Sequence, residues 1–123
     1  MALTATLAFV MMAAGPAQGV DQVNVAFDQL AAGENRAAIV EITQNDTLDN
    51  NDPARLLNLG VAYAREGEIE QARELFRAAV FSDERQLLET ASGEWVDSRV
   101  LARLALAKLN GGEFGDSTRM ASR

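Results

Sequence analysis

The chain has no cysteine and no histidine in its 123 residues. Without thiols there is no disulfide, no thiolate nucleophile and no Cys/His zinc site. Without imidazole there is no histidine general base and no Ser-His-Asp triad. Two prolines and nine glycines are too few for a fibrous or low-complexity chain. Basic residues are also scarce: 11 Lys and Arg stand against 18 Asp and Glu, for a net charge of −7. The basic stripe that holds nucleic acid or an anionic membrane is missing.

What is present reads as one small helical domain. Hydrophobic residues make up 48 % and charged residues 24 %, the ordinary balance of a globular chain. Residues 1–19 are set apart because they carry no charged side chain. Leu3 to Ala14 form an apolar run, Gly15-Pro16 breaks it, and the small residues Ala17 and Gly19 follow. That order is similar to the apolar and cleavage regions of a secretory signal peptide, though no Lys or Arg precedes the run. Cleavage after Ala17 or Gly19 fits equally, and the run is too short to span a bilayer. The expectation is export to the periplasm of a Gram-negative bacterium, with no membrane insertion after signal removal. If the segment is not a signal, the chain is cytoplasmic.

From Val20 the apolar residues recur with helical period. Val20, Val23, Phe27 and Leu30 mark one face; Ala37, Ala38, Ile39, Val40 and Ile42 mark the next run after Gly33. Residues 45–52 are a polar loop with three aspartates but without the ligand order and central glycine of a calcium loop. Asp52-Pro53 signals a helix start, with a capping carboxylate followed by proline at the first helical position. That helix should run to Arg65 and end at Gly67, and a second should cover 68–81. Leu87 to Ala91 are expected to extend a short helix, Glu94 or Asp97 to begin a last one ending at Leu109, and residues 111–123 to form a flexible tail.

Two glycines, Gly33 and Gly67, lie 34 residues apart, as do Ala38 and Ala72, and Glu34 and Glu68. Within 53–86, Leu59, Gly60, Tyr63, Gly67, Ala72, Phe76 and Ala79 carry a recurring small-and-large pattern. These positions resemble the tetratricopeptide repeat (TPR) family, whose units are helix hairpins of this length. The usual proline near the repeat end is replaced by Glu84. Residues 20–52 carry the pattern more weakly, with Gly33 and Ala38 in place but Ala26 for the glycine and Gln29 for the aromatic. A partial third unit covers 98–114, after an insertion at 87–97 that contains the single tryptophan, Trp95. Gly111-Gly112-Glu113-Phe114 is one residue short of the diguanylate cyclase signature and follows a helix in a chain too short for that domain, so that reading is excluded.

The resemblance implies an all-α fold: a short α-solenoid of antiparallel helix pairs in a right-handed superhelix, closed by a C-terminal helix. The TPR-like domain would cover 20–110. It further implies that the first helix of each unit lines a concave face. Here that face comprises Val23, Phe27, Leu30, Leu57, Asn58, Val61, Arg65 and Leu106, with Ala102 beside them. Arg65 and Asn58 are too few for a carboxylate clamp, so the expected ligand is an apolar helix or extended peptide of another protein. The residues serve equally well as core. The function expected is that of a non-enzymatic adaptor, with no catalytic residues, metal or cofactor and no nucleic-acid partner. The alternative is a self-associating structural module, a homo-oligomer through the groove or the stack ends.

Overall fold

Asp52 begins the central helix. Its carboxylate accepts hydrogen bonds from the backbone N–H of Ala54 (2.9 Å) and Arg55 (3.1 Å), and Pro53 fills the first helical position. The computed structural model describes residues 10–13 (backbone only), 26–90 and 92–114. Among them are helices α1 (Phe27–Ala31), α2 (Asn35–Gln44), α3 (Pro53–Arg65), α4 (Ile69–Phe81) and α5 (Ser98–Asn110). Strands β1 (Val10–Ala13), β2 (Leu87–Thr90) and β3 (Trp95–Asp97) form an antiparallel sheet in the order β1-β2-β3. The molecule is mostly helical, in keeping with the all-α expectation, and the small sheet is an addition to it.

The turns repeat bond for bond. At Gly33 (φ 79°) the glycine N–H bonds Leu30 O at 3.1 Å and the next N–H, of Glu34, bonds Gln29 O at 2.8 Å. At Gly67 (φ 84°) the same two bonds run from Gly67 to Ala64 at 3.1 Å and from Glu68 to Tyr63 at 2.9 Å. Both are Schellman caps, in which a left-handed residue turns the last N–H groups back onto orphan carbonyls. Glycine takes that conformation without a Cβ penalty. Gly112 (φ 77°) repeats the left-handed glycine and the first of the two bonds 45 residues on, bonding Leu109 O at 3.1 Å. The start of the helix moves by the same interval: Asp97 caps Arg99 N at 2.7 Å, 45 residues after Asp52 caps α3. Helices α3 and α5 are each 13 residues long and occupy matching positions. The 11 residues by which 45 exceeds 34 are the inserted segment 87–97.

That segment is a β-hairpin. Leu87 faces Asp97, Leu88 faces Val96 and Glu89 faces Trp95. Gly93 (φ 90°) turns the chain, with Gly93 N bonding Thr90 O and Thr90 N bonding Glu94 O, both at 2.9 Å. Leu88 and Thr90 are buried while Leu87 and Trp95 are exposed, the period of two that a half-buried strand requires. The short helix expected over 87–91 is therefore replaced by β2. Thr90 before Ser92-Gly93 and Trp95-Val96 after it are the only β-forming residues there, too few to mark a strand in the sequence.

Two apolar clusters hold the helices. The larger joins Leu56, Leu57, Val61 and Ala64 of α3 with Ala72, Phe76 and Ala79 of α4, Leu88 of β2, and Leu101, Ala102, Ala105 and Leu109 of α5. The smaller joins Ala26, Leu30, Ala38 and Ile42 with Leu59 and Ala62 of α3. Tyr63 and Leu75 pack against both. Phe114 lies at the start of the expected tail and stacks on Phe76, with ring centroids 6.2 Å apart. Val23 lies outside the described residues, as do the rest of 1–9 and 14–25, and 115–123.

Asp52 carries a second consequence. Burial pushes its carboxyl above the ordinary 3.8, against the pull of its two cap hydrogen bonds. Glu84 is pushed above 4.5 by desolvation and then by the neighbouring Asp49 and Asp52 carboxylates. A carboxyl raised in the folded state weakens folding when ionised, and the penalty fades as pH falls through the raised value towards the ordinary one. Asp97 is held low, first by its hydrogen bond from Arg85 (2.7 Å), so its contribution is lost only below 3.8. The thermal midpoint should therefore rise as the pH falls through the raised Asp52 and Glu84 values towards 3.8. At pH 7, Asp52→Asn keeps an acceptor and removes the charge, so it should match or exceed wild type. Asp52→Ala should lose about 1 kcal/mol. Melting curves of the three proteins from neutral pH down to about 3.8 check both statements; a wild-type midpoint that falls steadily over that interval contradicts the first.

Candidate functional site

The expected concave residues lie on α1, α3 and α5, but most of them are used internally. Leu30, Leu57, Asn58 and Val61 are buried. Phe27, Arg65 and Leu106 are half-buried. Arg65 acts as a tie: its Nη1 donates to Leu30 O at 2.9 Å and to Asn35 Oδ1 at 3.2 Å, fastening α3 to the α1–α2 turn. Burial lowers its pKa, which leaves it a cation at any working pH. The repeat-pattern residues Ala38, Leu59, Gly60, Ala72, Phe76 and Ala79 are all buried, and Tyr63 is half-buried. Gly33 and Gly67 form the exposed turns described above.

Neighbouring helices account for this burial, and strand β1 lies close by. It pairs with β2 on one side and lies against α1 and α3, the helices that carry most of the expected stripe. A strand of the same chain thus lies beside the helices that carry the expected stripe. The strand comes from the segment whose composition resembles a signal peptide.

A different surface is open. Between α4 and α5 runs a groove of about 540 Å³, with Ala78, Val80, Phe81 and Leu106 as apolar lining and Glu74, Arg77 and Arg103 as polar lining. The Phe81 side chain is 78 % exposed. A phenylalanine in water forgoes roughly 2 kcal/mol of transfer free energy that burial would recover. Val100 and Leu104 also lie exposed on α5. Because α3 packs helices on both flanks, the stripe matching these positions is covered there: Leu59, the counterpart of Leu104, is buried. Sequence reading had Leu106 but not Phe81, because Phe81 falls in the last turn of α4, where an apolar residue reads as core.

The groove thus sets four apolar side chains beside Glu74, Arg77 and Arg103. Among the described residues no group of three or more Asp or Glu could hold a metal ion, and no helix is long and apolar enough to cross a membrane. No family model, curated protein or solved structure matches the chain.

Proposed function

We propose that the chain is a short TPR-like solenoid that binds another protein without catalysing a reaction, and that it acts as an exported adaptor. The recurrence of the same two-bond cap at Gly33 and Gly67, with a left-handed glycine again at Gly112, supports the repeat reading. The exposure of Phe81 beside Leu106 carries the binding reading. A partner that inserts an apolar helix or extended segment there would bury Phe81, while Arg77, Arg103 and Glu74 would set its orientation. The apolar patch is a rim around one aromatic, the usual form of an interaction hot spot.

A photo-crosslinking amino acid at position 81 of the full chain tests this in the envelope fraction. The expected result is one heterologous adduct. It should be absent when the same group replaces exposed Asn110, and reduced at least fivefold by Leu106→Asp with helicity unchanged. An adduct of twice the chain mass replaces the adaptor reading with self-association through the same groove. Absence of any adduct that depends on Leu106 overturns both.

A further inference from the structure

The β1–β2 pairing is irregular in a way that bears on what the sheet edge is for. Val10 pairs with Thr90 and Ala13 with Leu88, so three steps along β1 meet two along β2. One residue of β1 is therefore left out of the ladder, as in a β-bulge. The β1 sequence, Val-Met-Met-Ala, is uncharged and belongs to the run expected to be cleaved after Ala17 or Gly19. Removing that run would expose a four-residue edge on β2, whose other side is already paired with β3. An open edge of unpaired N–H and C=O groups accepts another strand.

We propose that the β2 edge, together with the inner sides of α1 and α3, is a docking site for an extended apolar segment of a partner protein. Strand β1 fills this site in the unprocessed chain. The incoming strand runs antiparallel to β2, as β1 does, and its backbone pairs with Leu87–Thr90. The occupant comes from another protein because processing would remove β1 from every copy of this chain. A second copy would also bring a further charge of −7, and like charge opposes association. The site is separate from the α4–α5 groove, so failure of that groove leaves it standing, but it rests on the export reading because only processing removes β1.

The probe is a labelled peptide of residues 7–16 flanked by lysines, and the protein is the full chain. In wild type the tethered β1 competes at an effective concentration on the order of millimolar, so peptide binding is weak. In Met11→Pro/Met12→Pro the strand cannot form its ladder. That variant should bind the peptide at least tenfold more tightly. Amides 87–90 should exchange at least tenfold faster than in wild type, and slow again when peptide is added. Phe81→Glu should leave this binding unchanged. A second variant, Val10→Cys/Thr90→Cys, joins paired positions in a chain with no other cysteine. Oxidised, it should bind at least tenfold more weakly than reduced, which decides the matter if the proline variant unfolds. Equal binding by the oxidised and reduced forms overturns the proposal. So does unchanged exchange of 87–90 in a folded proline variant, or a proline variant that dimerises and excludes the peptide.

Discussion

Phe76→Ala should bring the chain close to unfolding. Phe76 is the largest fully buried side chain among the described residues and has no solvent exposure. It joins α4 to α3 at Gly60 and stacks on Phe114 beyond the end of α5. Truncating a core phenylalanine costs about 3–5 kcal/mol, through lost transfer energy and the cavity left behind. A domain of this size has roughly 5–10 kcal/mol in total. With a urea slope of about 1–3 kcal/mol per molar, the unfolding midpoint should fall by about 2 M. Amides of residues 111–114 should lose protection at the same time, because the ring that holds Phe114 is gone. A loss below about 1 kcal/mol would mean that the α3–α4 interface collapses around the gap, and Phe76 would not be the keystone that its burial implies.

The elements that local chemistry decides were legible in advance. Asp52-Pro53 starts α3, and Gly67 turns it into α4, because a cap and a left-handed glycine act within a few residues. Ser98–Asn110 follows the Asp97 start for the same reason. The sheet was not legible. Strands β2 and β3 are four and three residues long, and so short an apolar run reads equally as helix. Strand β1 has no alternation, and its pairing is decided by the distant edge at Leu87–Thr90. The site was half-legible. Leu57, Asn58 and Val61 were marked for their stripe, but the stripe of a groove and that of a core are the same pattern. What separates them is whether something lies on top, and on α3 something does. Arg65 stood out as a charge near that stripe, yet its partners Leu30 and Asn35 lie some 30 residues away and became visible only in three dimensions.

Gly60→Val tests the same contact from the other side. A Cβ at position 60 would lie 2.5 Å from Cε1 and 2.8 Å from Cδ1 of Phe76. The ring is enclosed and backed by Phe114, so it cannot swing away. Overpacking a filled core costs about 1–3 kcal/mol, and a branched side chain at this separation belongs at the upper end. Glycine is otherwise a poor helix former, by about 1 kcal/mol against alanine. It is therefore retained at the centre of α3 for space and not for local preference. The first unit shows the complementary solution: the matching positions hold Ala26 and Ile42, a larger residue with a smaller one, both buried in the second cluster. Gly60→Val should consequently be far less harmful in a Phe76→Ala background, where its methyl groups enter vacated space. The double variant should be more stable than the sum of the single losses predicts, by roughly 2 kcal/mol, within the range of coupled neighbours. Additive losses in urea titrations of the two single variants and the double variant would show that Gly60 and Phe76 do not share one contact.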